Sequence, residues 1–341
     1  MRRLFCGRPF EHLEVMPDGS AYVCCPSWLP TSIGNVHRSG AEALWNGTVA
    51  RQIRESILDN SFRYCTACPF LKTRTAFVHP VDERLPPAER ALLEGAVTVM
   101  GRIGTLNLAY DRTCNLSCPS CRKELYVAKG EEYQRLAALQ ARVLERDLLA
   151  RLSCLYVTGS GDPFASRLFR ELVRGIDPAR YPRLSIRLHT NALLWTPEAW
   201  EALGPARALV REVEVSIDAA SAQTYAVNRR GGDWETLLAN LGFVAWLRRE
   251  RAIGGLQISF VVQANNWRQM PAFVELGRRN DVDLVFFSKL RNWGTFSDQE
   301  YRARAVHLPE HPEHARFRAG LDHPALARPN VLLGELRERT D

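Results

Sequence analysis

Cys114, Cys118 and Cys121 stand in a CxxxCxxC spacing, Cys114-Asn115-Leu116-Ser117-Cys118-Pro119-Ser120-Cys121. Thiolates bind iron–sulfur clusters, and a [4Fe–4S] cubane takes four ligands. Three thiolates on one tight loop leave one iron open, able to bind a small molecule and pass it an electron. Zinc is the competing chemistry, but it wants a nearby fourth Cys or His, and none follows Cys121 in the next turns. A second group holds Cys6, Cys24, Cys25, Cys65 and Cys68, the last two as Cys65-Thr66-Ala67-Cys68. A zinc ribbon competes there as well. The remaining thiol, Cys154, starts an apolar run and reads as a buried structural cysteine.

Elements that can position such groups recur along the chain. Strand-like apolar runs fall at Thr105–Tyr110, Cys154–Thr158, Leu184–His189, Glu212–Ile217, Leu256–Val262 and Val282–Ser288. Several are continuous and β-branched, as strands covered on both faces should be. Helical patterns separate them, at Glu131–Ala150, Ala165–Arg174, Pro197–Leu203, Trp234–Arg251 and Trp267–Asn280. Six β–α units argue for an α/β parallel barrel or partial barrel. Barrel chemistry sits at the C-terminal ends of strands, and every suspicious motif of this chain falls there. The expected divisions are a Cys-rich module at 1–80, a charged linker at 81–101 with Pro86-Pro87, the barrel at 102–300 and a C-terminal extension at 301–341. Within the module, Glu14 to Cys24 reads as a hairpin turning at Pro17-Asp18-Gly19.

Composition narrows the class. The chain has 341 residues, 46% of them hydrophobic, and a formal net charge of +7. No apolar run of about 18 residues predicts a membrane span, and Met1 to Val15 lacks the apolar segment of a secretory signal. An odd number of cysteines in groups with metal-ligand spacing argues for a reducing cytoplasm. The positive charge is mostly scattered arginine, with lysine only at 72, 123, 129 and 289. Interleaved acids make a nucleic-acid substrate unfavoured.

The cysteine motif and the segments after the other strands together resemble the radical SAM superfamily. That resemblance implies a partial (β/α)6 barrel. It implies a [4Fe–4S] cluster on Cys114, Cys118 and Cys121 whose open iron chelates S-adenosylmethionine. One-electron reduction would then give a 5′-deoxyadenosyl radical that abstracts hydrogen from substrate. Ser120 departs from the aromatic residue usual before the third cysteine. The stretch Thr158-Gly159-Ser160-Gly161-Asp162-Pro163 aligns with the family's GGEP motif, and implies a role for Gly159, Ser160, Gly161 and Asp162 around the SAM amino group. Read as residues alone, it is equally an Asp N-cap with Pro opening a helix. His189-Thr190-Asn191 ends the third strand, and Asn191 would lie near SAM or substrate; a plain strand-end turn competes. Ser216-Ile217-Asp218, followed by Arg229-Arg230-Gly231-Gly232, resembles the family's SID…RGG stretch. Ser216 would contact the ribose, Asp218 would face substrate or ribose, and Arg230 or Arg229 would pair with the SAM carboxylate, which an Arg fork suits. A helix cap with solvated arginines is the plainer alternative. Gln263 opens a segment resembling the adenine-side loop. Lys289-Leu290-Arg291-Asn292-Trp293 offers two bases and an aromatic that could bind substrate or close the barrel.

The N-terminal cysteines resemble the SPASM/twitch auxiliary-cluster module, here placed before the barrel rather than after it. The family order, a lone Cys, a hairpin Cys and a CxxC, implies a second [4Fe–4S] cluster on Cys6, Cys24, Cys65 and Cys68. Cys24 and Cys25 are adjacent, so only one can face that cluster; Cys24 fits the pattern. Cys25 is left as a hydrogen-atom donor near substrate or a packed apolar residue. The implied activity is dehydrogenation or epimerisation of a carbohydrate or aminocyclitol, fed by an external one-electron donor such as a flavodoxin or ferredoxin. The alternatives are a peptide maturase, forming a thioether or epimerising a residue, and a non-catalytic iron–sulfur electron carrier. Sequence leaves open the substrate, oxidation against epimerisation, whether SAM is consumed or regenerated, and the oligomeric state.

Overall fold

In a computed structural model, the described residues are all but 1–2, 67, 69, 74–77, 82–89, 91, 94–96, 100–102, 159 and 338–341. Gly159 and most of the expected linker at 81–101 therefore lie outside the described residues. All six expected parallel strands form: β6 Ile103–Leu108, β7 Leu152–Val157, β8 Ser185–Thr190, β9 Val210–Ser216, β10 Gly255–Val262 and β11 Leu284–Lys289. They lie side by side in chain order, each parallel to the next. Helices return the chain between them, as right-handed crossovers of parallel strands require. No helix among the described residues is long and apolar enough to cross a membrane.

The N-terminal segment extends this sheet. The hairpin β2 His12–Val15 and β3 Ser20–Tyr22 forms around the expected turn. β2 then pairs parallel with β6, setting Glu14 opposite Asn107, and β4 Gly34–Asn35 adds to β3. At the far edge β12 Val331–Leu332 runs parallel to β11. A short antiparallel pair, β1 Leu4–Cys6 with β5 Val78–Pro80, stands apart and carries Cys6.

The strands differ from the expected continuous apolar runs. Their side chains alternate. One face carries Leu106, Leu155, Ile186, Leu188, Val213, Val215, Ile258, Phe260, Val285 and Phe287, all buried. The helices cover this face: Gly277 of the helix Met270–Arg279 comes so close that an added Cβ would meet Val285 and Ile258. Each such aliphatic side chain contributes roughly 1.5–3 kcal/mol on burial. The other face carries Asn107, Tyr156, Arg187, His189, Glu214, Ser216 and Ser259, registered across neighbouring strands. The longer helices pack on the apolar face, and the other face carries polar groups that turn to one another and to a cavity.

The N-terminal module is tied down by one cation. Arg54 is fully buried; its Nε donates to Pro9 O at 2.9 Å, and Nη1 donates to Asn46 Oδ1 at 3.0 Å and Val97 O at 3.1 Å. Its guanidinium lies 4.3 Å from the Trp45 ring centroid. Burial without a carboxylate lowers its pKa to about 10. Beside it Phe5, Phe10 and Ile57 form a small apolar cluster against which Cys6 and Cys65 pack.

Candidate functional site

The C-terminal ends of the strands open into a cavity of about 450 Å³. Cys114, Cys118 and Cys121 line one side of it. The first two are buried, and their sulfurs face donors: Leu116 N lies 3.4 Å and Asn191 Nδ2 3.6 Å from Cys114 Sγ, and Arg229 Nη1 lies 3.8 Å from Cys118 Sγ. Arg122 Nη2 donates to Cys121 Sγ at 3.3 Å. Burial pushes the bare Cys114 thiol up to about 11 and raises Cys118. A buried thiol gains charge most readily when a metal takes the proton's place, and the two guanidiniums here then meet thiolate sulfur. Among the described residues no three of His, Cys, Asp and Glu stand close enough to enclose a single ion. Zinc draws its sulfurs to about 2.3 Å of one centre, whereas a cubane spreads its thiolates over separate irons. The donor set fits an iron–sulfur cluster.

The loop after β7 braces this cysteine loop. Gly161 is needed for the approach, since an added Cβ would stand 2.4 Å from Asp111 O and 2.7 Å from Thr113 O. Ser160 Oγ donates to Ala109 O at 2.7 Å, and Arg122 Nη2 donates to Ser160 O at 2.6 Å. Ser160 and Gly161 line the cavity. Asp162 does not. Its Oδ1 accepts from the Phe164 and Ala165 amides, and its Oδ2 from Thr190 Oγ1 at 2.7 Å and Asn191 N at 2.9 Å. With four donors already bound, this buried carboxylate turns the chain and locks strand ends β7 and β8 together. Asp162 thus caps a turn rather than the next helix, since the helix Arg167–Arg174 is capped by Ser166, whose Oγ accepts from Phe169 N at 3.0 Å.

The other expected positions divide in the same way. Asn191 lines the cavity and donates to Asn115 Oδ1 at 2.9 Å, holding the cysteine loop. Ser216 lines it too; its Oγ lies 2.6 Å from His189 Nε2 and 3.3 Å from Ser259 Oγ. Asp218 lies at the cavity wall, 2% exposed, paired with Arg229 at 2.9 Å and accepting from Val261 N at 2.7 Å. Burial raises the Asp218 pKa despite that partner. Arg230 points elsewhere, its Nε donating to Ser117 Oγ and its Nη2 to Lys123 O, so of the two arginines the cavity takes Arg229. Gln263 is buried and does not line the cavity.

Sequence patterns carry no signal for Arg122, Glu214, Trp28 or Glu335, all of which line the cavity. Glu214 is held ionised mainly by His189 and Arg187, against its burial. Burial lowers the His189 pKa, and its Nδ1 meets Tyr156 Oη at 2.8 Å.

The second cysteine group lies on the N-terminal segment. Cys6 feels the charges of Cys65 and Cys68, and Cys24 those of Cys6 and Cys68. Burial pushes the bare Cys6 and Cys65 thiols up to about 12 and raises Cys24 further. These thiols lie within electrostatic reach of one another and are costly to ionise alone, which suits a shared metal cluster, although among the described residues no three of them stand close enough to enclose a single ion. Cys25 departs from them: it lines the main cavity, near Glu14 and Arg291. Cys68 feels the charge of Glu335, which lines the cavity, but of the N-terminal cysteines it is Cys25 that lines the cavity itself.

Residues 6–69 match the SPASM domain, described as an iron-sulfur cluster-binding domain. The chain is 32% identical over 203 residues to GTP 3',8-cyclase of Synechococcus sp. (strain WH7803), a stretch covering 53% of this chain and 55% of that protein. It thus spans about half the length of that relative. Among solved structures, Streptococcus suis SuiB bound to S-adenosylmethionine is 13% identical, with a TM-score of 0.41, over 73% of this chain and 55% of that one. TYW1 with a lysine-pyruvate adduct is 18% identical, with a TM-score of 0.39, over 62% and 70%. Likeness to solved structures at this level says nothing about activity. The domain match and the cyclase relative support the radical SAM resemblance and a SPASM-type iron–sulfur module.

Proposed function

We propose that this chain is a radical SAM enzyme with two [4Fe–4S] clusters and S-adenosylmethionine as cofactor. Cys114, Cys118 and Cys121 would hold the SAM-binding cluster, and Cys6, Cys24, Cys65 and Cys68 the auxiliary one, with residues 102–300 as a partial (β/α)6 barrel and residues 1–80 as the module. When bound, this group supplies the electron that cleaves SAM to a 5′-deoxyadenosyl radical, which abstracts hydrogen from a substrate carbon. The observation carrying the proposal is the three-thiol loop, its sulfurs facing Arg122, Arg229 and Asn191 on the wall of the cavity.

The chain's own residues orient and insulate. Arg122 and Arg229 stabilise thiolate charge, since hydrogen bonds from a cation to a charged acceptor are about twice as strong as neutral ones. Ser160, Asn191 and Ser216 offer small polar contacts to SAM from three strand ends. Asp218 keeps Arg229 charged and aimed, and Asp162 acts through Thr190 and Asn191 rather than by touching the cofactor. A cavity of about 450 Å³ lies within the size range of small-molecule sites. The substrate we favour is a carbohydrate or aminocyclitol, dehydrogenated or epimerised. Cys25 would serve as hydrogen-atom donor in an epimerisation and stand idle in an oxidation. A soluble one-electron carrier would deliver the electron.

The test is electron paramagnetic resonance of anaerobically reconstituted, reduced protein. Adding SAM is expected to change the cluster signal in the wild type and to change nothing in a Cys114/Cys118/Cys121→Ala variant. Equal spectra with and without SAM in the wild type would reject a SAM-binding open iron.

A further inference from the structure

Across the cavity from the Cys114 loop lies a charge cluster that the reading above leaves unused. Lys289 and Arg291, at the end of β11, both turn to Glu335, with Lys289 Nζ 3.2 Å and Arg291 Nη2 2.6 Å from its carboxylate oxygens. Glu335 is 9% exposed, and all three residues line the cavity. It is placed there by Gly334, whose φ of +50° favours glycine and whose added Cβ would stand 2.8 Å from Phe287 O. The indole of Trp28 borders the same stretch, its centroid 5.9 Å from the Arg291 guanidinium, and its buried N–H has no hydrogen-bond partner among the described residues.

The charges do not close. Two cations share one carboxylate, which leaves one positive charge facing the cavity. Elsewhere Arg229 pairs with Asp218, and Arg187 pairs with both Glu212 and Glu214. His307 responds to the excess, since burial and then Lys289 and Arg291 lower its pKa to about 4, so it stays neutral and adds no charge. The ammonium, guanidinium and indole N–H at this end are donors, and Glu335 Oε2, 3.2 Å from Lys289 Nζ, is a buried acceptor without a hydrogen bond among the described residues.

Resting on the proposed function for the identity of the occupant, we infer that the substrate carries an oxyanion, a phosphate or a carboxylate, that binds Lys289 and Arg291. Glu335 holds the two cations together in the empty cavity and competes with that oxyanion. The substrate would then share the cavity with the Cys114 loop, its charged end beside Cys25 and Trp28.

The experiment is equilibrium dialysis of reconstituted full-length protein against radiolabelled inorganic phosphate in one arm and acetate in the other. Saturable binding of one anion per chain is expected in the wild type. A Lys289→Met/Arg291→Met variant should bind at least tenfold more weakly, and Glu335→Gln about tenfold more tightly, because each tenfold step corresponds to about 1.4 kcal/mol. Tighter phosphate than acetate assigns a phosphate ester, and the reverse assigns a carboxylate. Equal binding by wild type and the double variant, or weaker binding by Glu335→Gln with its circular dichroism unchanged, would overturn the inference. The wild type's spectral response to SAM, recorded on the same preparation, reports separately on the radical SAM reading.

Discussion

Arg229→Met is expected to destabilise the folded chain by about 3–5 kcal/mol, measured by denaturant unfolding, because it strips a buried carboxylate of its counter-ion. Asp218 is 2% exposed and Arg229 13%, with 2.9 Å between them. Burial alone already raises the Asp218 pKa, and burial alone would lower that of Arg229, which Asp218 and Cys118 raise instead. Removing the cation leaves Asp218 only the Val261 amide as a donor to Oδ1. The double variant Asp218→Asn/Arg229→Met removes both charges and should recover most of the loss. If the single variant were as stable as the wild type, the pair would not carry the electrostatic weight assigned to it. The same single variant is expected to weaken cluster retention, since Arg229 also faces Cys118 Sγ.

Cys65→Ala/Cys68→Ala should lower iron from about eight to about four atoms per chain, as expected when one of two [4Fe–4S] clusters is lost. Iron analysis after anaerobic reconstitution reads this directly. The cavity-facing trio Cys114, Cys118 and Cys121 belongs to a different loop, so the remaining iron should still respond to SAM. Unchanged iron would mean that Cys65 and Cys68 are not ligands. The expectation rests on the match of residues 6–69 to an iron-sulfur cluster-binding domain, and on Cys6, Cys24, Cys65 and Cys68 lying within electrostatic reach of one another.

The six parallel strands were legible because each is a short apolar run bounded by turns, and the hairpin because Pro17-Asp18-Gly19 can turn the chain. That β2 joins β6, and that β12 covers β11, depends on pairings between distant segments, which no local pattern encodes. The strands looked doubly covered because Val and Leu dominate them. His189, Glu214 and Ser216 within those runs were the sign of a polar face. Spacing could not decide between Arg229 and Arg230. That choice follows from the end of the helix Ala222–Asn228, where Arg229 caps the helix and Gly231 takes a positive φ of 93°. Asp162 was assigned by alignment to a ligand-facing motif, yet its neighbours' backbone amides reach it first. Glu335 sits in a short 3₁₀ turn, Gly334–Leu336, with no motif around it, and only the folded chain brings it to Lys289 and Arg291. Legibility was greatest for the cysteines, because metal-ligand spacing is local, and least for the charges that complete the cavity.

The most direct measurement is release of 5′-deoxyadenosine from SAM by anaerobically reconstituted protein given a strong reductant. Release by the wild type, and none by the Cys114/Cys118/Cys121→Ala variant, is the predicted result. Equal release from both proteins, or none from fully iron-loaded wild type tested with a panel of phosphorylated and carboxylated sugars, would contradict the account.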